Sequence, residues 1–217
     1  MSKVRILHLH SSFDLGGKEA RAVKLMNHFG DQASHVILSA VPDALGARDA
    51  IDKGIAVEFP GDAAPPLYGK PGIGRYRKLA KYMKRFHLVL SYNWGSMDGV
   101  MTRTLLGDSM GLPPLIHHED GFNEDEIEKL NWKRNWFRAV ALQRSAGLVV
   151  PSRTLEKIAQ TAWHQNRDHI HRFPNGIDVL RYAKKAQRGA FPEFVKRDGE
   201  IVVGTIAGLR ANDNLRS

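Results

Sequence analysis

The run GLVVPSRTLEKIAQTAW, from Gly147 to Trp163, and the HIHRFPNGIDVLRY that follows from His169 to Tyr182 decide how the chain is read. Leu148-Val149-Val150 has the length and apolar content of a buried strand. Pro151 and Ser152 then open a helix, the serine as its cap, with Glu156 in the first turn. A second short strand, Ile170 to Phe173, ends in Pro174-Asn175-Gly176, a turn signal in which Gly176 supplies a backbone angle that other residues avoid. Beyond it the chain becomes basic and irregular, then offers one more apolar strand, Ile201-Val202-Val203. That is how one α/β domain ends and a second begins.

The same alternation of strand and helix runs through the chain before Gly147. Val4 to Leu9 is a short, mostly apolar strand, as at the centre of a sheet. A loop, SSFDLGG (Ser11 to Gly17), leads into a helix expected to bury Ala22, Leu25, Met26 and Phe29. Val36 to Leu38 is the second strand, Asp43 to Lys53 a helix, and Ala56 to Phe59 the third strand. This βαβαβ order predicts a parallel, doubly wound, Rossmann-like sheet. Residues 61–74, rich in proline and glycine, form a loop. The helix from Ile73 to Phe86 presents Tyr76, Leu79, Ala80 and Met83 on one face. A strand (Leu88 to Leu90), a helix from Ser96, a strand at Leu115-Ile116 and a Trp- and Arg-rich helix (Trp132 to Arg138) complete the series.

Composition narrows the classes. At 217 residues the chain holds one large domain, or one domain and part of another. No apolar run is long enough to span a bilayer, and the N-terminus lacks the apolar core of a secretory signal. The absence of cysteine excludes disulfides and thiolate metal sites. A net charge of +9 points to an anionic partner: nucleic acid, a phosphorylated substrate or an acidic membrane surface.

Four stretches carry chemistry. Gly16-Gly17 lies between a strand and a helix N-terminus, where backbone amides and the helix dipole suit a phosphate; a plain tight turn explains the pair equally well. The full three-glycine dinucleotide fingerprint is absent, which disfavours a nicotinamide cofactor. HHEDGF, from His117 to Phe122, stands at a strand end and allows three readings: a metal site, general acid–base chemistry, or a polar loop capping the next helix. Adjacent strand residues point to opposite faces, so one of the two imidazoles at most serves a given site. Asn93-Trp94-Gly95 ends another strand on the same edge and either lines a ligand pocket, pairing an aromatic face with an amide, or packs the tryptophan beneath a helix. Arg75, Arg77, Lys78, Lys81, Lys84 and Arg85 share a helix with no acidic residue, the pattern of a solvated face or of a membrane-surface element.

Two blocks carry a family resemblance. VPSRTLEKIA followed by FPNGIDVLRY resembles the end of the first domain of family 4 glycosyltransferases, which have the two-Rossmann GT-B architecture. GGKEARAVKLMN, from Gly16 to Asn27, resembles the GGxE stretch that opens them. The resemblance implies an acceptor-side domain over residues 1–180, a linker over 181–200 and the start of a donor-binding domain over 201–217. It implies sugar transfer, with retention and without a required metal, from a UDP- or GDP-sugar to a glycan or lipid-linked hydroxyl acceptor. Gly16 and Gly17 would then supply donors near the donor phosphate, and the HHEDGF loop would hold the active-site histidine contacting the sugar. Alignment on His-acid gives His118 that place; alignment on the following glycine gives it to Asp120. His117, Glu119, Asn93 and Trp94 would contact substrate, and the Pro174-Asn175-Gly176 segment would be the interdomain hinge. A cytoplasmic protein, peripheral at the inner face of an anionic membrane, fits the same picture, with nucleic acid the least favoured partner.

The resemblance also marks departures. In GTIAGLRANDNLRS, Gly208 and Asp213 stand where the family has an Arg and a Lys on the donor diphosphate, leaving Arg210 as the nearby cation. A carboxylate beside a diphosphate is electrostatically unfavourable. The chain by itself is therefore expected to be inactive. The alternatives are a non-catalytic membrane- or anion-binding module derived from such an enzyme, and a sugar-phosphate epimerase of the same architecture.

Overall fold

The computed structural model describes residues 3–67, 69, 70, 72–122, 126, 130–183 and 194–204. Its strands are β1 Val4–His10, β2 Ala33–Ser39, β3 Val57–Glu58, β4 Leu88–Tyr92, β5 Leu115–His118, β6 Gly147–Val150 and β7 Ile170–Arg172. Its helices are α1 Gly17–Phe29, α2 Ile73–Met83, α3 Met97–Met110, α4 Trp132–Ala141, α5 Arg153–Thr161 and the short α6 Val179–Tyr182. The strands pair in parallel as one sheet in the order β3-β2-β1-β4-β5-β6-β7. The chain divides into a compact unit, Met1–Asn175, which holds the sheet, and a second unit, Gly176–Ser217.

Period-2 alternation sorts each strand onto two faces. Leu7 and Leu9 of β1, Val36 and Leu38 of β2 and Val89 of β4 join Tyr76, Leu79, Met83, Met97 and Val100 of α2 and α3 in the larger core. Leu148, Val150 and α5 continue the same layer. On the other face α1 lays Ala22, Val23 and Met26 against Ile37 and Tyr92. With helices on both faces the sheet is doubly wound, as expected. Each fully buried leucine contributes about 1.5–3 kcal/mol of transfer free energy.

Several local expectations change. Leu25 and Phe29 stay exposed, and α1 buries Glu19, Ala22, Val23 and Met26 instead: the apolar stripe is rotated so that its centre runs through Ala22 and Met26. The helix expected over 43–53 is only a 3-10 turn, Gly46–Ala50. Besides its own 3-10 bonds (Arg48 N–H to Leu45 O, 2.9 Å; Ile51 N–H to Arg48 O, 3.1 Å), its backbone bonds to the loop after β1. Phe13 N–H donates to Ala44 O (2.8 Å), Ala47 N–H to Phe13 O (2.9 Å) and Gly46 N–H to the Asp14 carboxylate (3.1 Å). The Pro174-Asn175-Gly176 segment is irregular backbone, and Gly176 stays out of the left-handed region because no tight turn forms there. Ile201, Val202 and Val203 are exposed and form no strand; a strand needs a partner for its amides and carbonyls. Gly208, Arg210 and Asp213 lie outside the described residues.

Strands β1, β2 and β3 step outward in one direction, and the chain then returns to place β4 beside β1. The reversal opens a crevice at the C-terminal ends of β1 and β4, where open α/β sheets bind ligands. Gly95 permits the loops there to meet, since a Cβ on it would lie 2.5 Å from Ser11 Cβ and 2.7 Å from Ser11 Cα. Gly95→Ala is therefore expected to lower the unfolding free energy by about 1–3 kcal/mol in urea titration. Gly17→Ala, whose Cβ meets nothing within 4 Å, should leave the midpoint unchanged; equal losses in the two variants would contradict this packing.

Candidate active site

Parallel pairing aligns the ends of three strands. His10 of β1 lies opposite Tyr92 of β4, and Tyr92 opposite His118 of β5. All three side chains fall on the α1 face. Their rings stack in a row, with centroids 4.1 Å apart for His10–Tyr92 and 4.8 Å for Tyr92–His118. Behind them, His8 shares hydrogen bonds with His35 (3.0 Å) and the Tyr92 hydroxyl (3.3 Å). Burial holds the His8 and His10 imidazoles well below the usual histidine range, and neighbouring imidazoles add to the effect. His118 is pushed down to about 3 by burial, then by the Arg21 guanidinium and by His117. The row is thus neutral at physiological pH. Neither ring nitrogen of His10, nor Nδ1 of His118, has a hydrogen-bond partner among the described residues. Unsatisfied buried groups of this kind are rare in folded proteins.

The N-terminus of α1 borders this row. Gly16 is extended and offers no side-chain cap, so first-turn amides of the helix are left without one. At Gly17 neither a close contact nor a left-handed angle calls for glycine, and its missing side chain leaves open space. Glu19 is buried, with its carboxylate taken by the Lys18 ammonium, which also reaches Ser12 O (3.5 Å). Arg21, one turn on, donates to the Asp120 carboxylate (2.8 Å) and to Asn175 Oδ1 (2.9 Å). Asn93 joins β4 to β5. Its N–H donates to His118 O (2.8 Å), and its side-chain oxygen accepts from Asp120 N–H (2.9 Å). The residue holds φ 56° and ψ −176°, a region nearly reserved for glycine. Such strain costs about 1–3 kcal/mol and persists only where the surroundings enforce it, as active sites do.

The opposite face of the same strand ends is built differently. His117 Nδ1 meets Ser91 Oγ (2.9 Å), and its Nε2 lies 3.6 Å from the Glu119 carboxylate. Glu119 is fully buried and accepts from Arg138 Nε (3.0 Å). Arg138, itself 1% exposed, also reaches Glu126, and its guanidinium lies 5.0–5.4 Å from the ring centroids of Trp94, Phe122 and Trp163. This is an internal charge network in an aromatic cage.

Comparison with known proteins then decides the family: the model of Glycosyltransferase Family 4 matches residues 15–181. The chain belongs to glycosyltransferase family 4. No curated protein matches it. Among solved structures it is similar to Anabaena Alr3699/HepE in complex with UDP, at 16% identity and a TM-score of 0.52, over 82% of this chain and 46% of that one. The complex of the same Anabaena protein with UDP and glucose gives 16% identity and a TM-score of 0.54 over the same shares. Such low identity carries the fold alone. This chain spans less than half the length of those it resembles.

Within this family-4 domain the structure gathers Gly16, Gly17, Asn93, His118 and Asp120 at one edge. It sends His117, Glu119 and Trp94 to the opposite face, where Trp94 packs on Arg138 and against Phe137 (5.6 Å). Arg75 is not part of an exposed basic face. It pairs with Asp98 (2.5 Å) and donates to Pro66 O (3.3 Å), while Arg77, Lys78, Lys81, Lys84 and Arg85 remain exposed. His10, Tyr92, Arg21 and Arg138 join the site or its support without having been singled out from sequence. The signal for His10 is the alternation His8-Leu9-His10, which places both imidazoles on one face. Among the described residues no helix is long and apolar enough to cross a membrane, and no group of three His, Cys, Asp or Glu could hold a metal ion.

The buried imidazoles set a pH dependence. In the unfolded chain they titrate near 6.5, whereas in the fold they stay neutral below that, so the unfolded state binds more protons in acid. Stability is therefore full above about pH 7 and falls below about 6.5, by up to about 1.4 kcal/mol per pH unit for each histidine kept neutral. Urea midpoints at pH 7.5 and 5.0 should differ strongly in the native chain and less in a His8→Asn variant; equal midpoints would contradict the buried neutral row.

Proposed function

We propose that this chain is the acceptor-side domain of a transferase moving a sugar from a UDP- or GDP-sugar to a hydroxyl acceptor, with retention at the anomeric carbon. The bond from that carbon to the donor phosphate breaks, the nucleoside diphosphate leaves with the electron pair, and the acceptor oxygen forms the new bond as its proton passes to the departing phosphate oxygen. What carries the reading is the site at the sheet's switch point: uncapped first-turn amides of α1 beside neutral His10 and His118, with both ring nitrogens of His10 and Nδ1 of His118 lacking partners among the described residues. The amides suit the growing charge on the leaving diphosphate. His118, kept neutral, suits hydrogen bonding to a sugar hydroxyl rather than acting as a cation. Asp120 is held by Arg21, which favours an orienting role for it over that of a base. His117 and Glu119 then act from behind, as support for the loop. The donor's remaining contacts belong to a second domain, and the chain alone is not expected to turn over.

The test is transfer by the full protein that carries this domain. His118→Ala should lower kcat/KM at least about 100-fold, while His117→Gln should lower it far less. An unaffected His118→Ala enzyme would overturn the assignment.

A membrane-binding reading rests on a separate observation. Arg77, Lys78 and Lys81 on α2 and Lys84 and Arg85 just after it are exposed, as are Trp132 and Trp136 on α4; cations and aromatics of this kind favour anionic lipid surfaces. Arg77/Lys78/Lys81→Glu should abolish sedimentation with phosphatidylglycerol vesicles without altering His118-dependent transfer to a water-soluble acceptor. Unchanged sedimentation would remove this reading, and Arg75 is left intact because its loss would break the Asp98 pair.

A further inference from the structure

Just past the end of β4 the backbone takes a conformation that its residue should avoid. Asn93 holds φ 56° and ψ −176°, where a Cβ crowds the neighbouring backbone and glycine is nearly alone in being comfortable. The contacts around Asn93 show what enforces it. Its N–H donates to His118 O (2.8 Å). Its carbonyl oxygen accepts from Ser96 N–H (3.2 Å) and from the Ser96 hydroxyl (2.9 Å). Its side-chain Oδ1 accepts from Asp120 N–H (2.9 Å). The residues that follow are confined as well, Trp94 by Arg138 and Phe137 and Gly95 by close packing on Ser11.

Main-chain bonds explain the conformation but not the asparagine. Glycine would take these angles without strain and would keep the bonds to His118 and Ser96. What glycine lacks is the Oδ1 that meets Asp120 N–H. Asparagine thus retains the strain for the sake of one neutral hydrogen bond. Strain of this kind matches or exceeds what such a bond returns to stability, so the effect of the bond lies in position.

The position it fixes is that of the loop after β5. His118 is held by its carbonyl and Asp120 by its amide, both from the single residue Asn93. Glu119, between them, is anchored on the opposite face by Arg138 (3.0 Å). Arg21 of α1 holds the end of the Asp120 side chain (2.8 Å). Asn93 instead holds the backbone from which that side chain and the His118 ring project.

We propose that Asn93 is a positioning residue for the transfer reaction, a strained two-point clamp that sets His118 and Asp120 in place and acts through them rather than on the sugar. That role rests on the transferase reading; the clamp itself does not.

Three variants of the full protein separate strain from clamp. Asn93→Ala drops the Asp120 bond and keeps the strain, Asn93→Gly drops the bond and relieves the strain, and Asn93→Asp keeps an acceptor for Asp120 N–H. The urea midpoint of Asn93→Gly should therefore lie above that of Asn93→Ala. Turnover is read as release of UDP from UDP-glucose or of GDP from GDP-mannose, with methyl β-D-glucoside as acceptor. Asn93→Gly and Asn93→Ala should lose kcat alike, by at least about tenfold, with the donor KM within about threefold of native. Asn93→Asp should keep kcat within about threefold of native. Native kcat in Asn93→Gly would show that no clamp operates. A kcat that follows the midpoints, recovering from Asn93→Ala to Asn93→Gly, would show a merely structural residue. An Asn93→Gly protein that fails to fold would also overturn the assignment, since glycine suits these angles.

Amide hydrogen exchange at Asp120 reads the clamp without any reaction. It should be about tenfold faster in Asn93→Gly and Asn93→Ala and native-like in Asn93→Asp. Exchange unchanged in all three variants would overturn the clamp and leave the transferase reading intact. The expected exchange order in a native protein that releases neither nucleotide would uphold the clamp and count against the transferase reading.

Discussion

Parallel pairing of β1 with β4 sets His10 opposite Tyr92, and the pairing of β4 with β5 sets Tyr92 opposite His118. Everything distinctive about the site follows from that register. A slip by one residue would turn His10 and His118 into the leucine-rich core and bring Leu9 and His117 to the α1 face. The register holds because Leu7, Leu9 and Val89 are committed to the opposite core. Hydrophobic burial on one face thus fixes polar chemistry on the other.

The two faces of the same strand ends make different use of burial. On the α1 face, desolvation keeps imidazoles neutral and leaves some of their nitrogens without partners. On the opposite face, Glu119 and Arg138 are buried as an ion pair, and three aromatic rings surround the guanidinium. Such a buried pair adds little net stability, yet removing one partner typically costs about 3–5 kcal/mol by stranding the other charge. Its consequence here is positional: Glu119 sits between His118 and Asp120, so fixing its carboxylate fixes the loop that carries both.

Much of the architecture is legible in the sequence. Ser152 caps α5 by accepting from Leu155 N–H, as Pro151-Ser152 suggests, and the βαβ order predicts the parallel sheet. Local pattern fails where long-range contacts compete. Residues 43–53 look helical, but Ala44 O, Gly46 N–H and Ala47 N–H bond to Phe13 and Asp14, far away in sequence, and only a 3-10 turn forms. HHEDGF divides between two faces, as the strand period predicts, but the distant arginines that hold each half, Arg21 on Asp120 and Arg138 on Glu119, leave no mark in the local pattern. Arg75 looks like one more surface cation among its neighbours, and only the folded position of Asp98 shows that it is an internal latch. Arg21 gives no local signal at all, because its partners Asp120 and Asn175 come from the ends of distant strands.

The central claim is that the α1 N-terminus and the His118 loop form one ligand site at the switch point. An amide and imidazole chemical-shift titration with UDP-glucose, on the full protein, tests it most directly. The account predicts saturable shifts, with a common dissociation constant, at the Gly16, Gly17 and Lys18 amides and the His118 ring. Saturation confined to the α2 cations, with those groups unmoved, would contradict it.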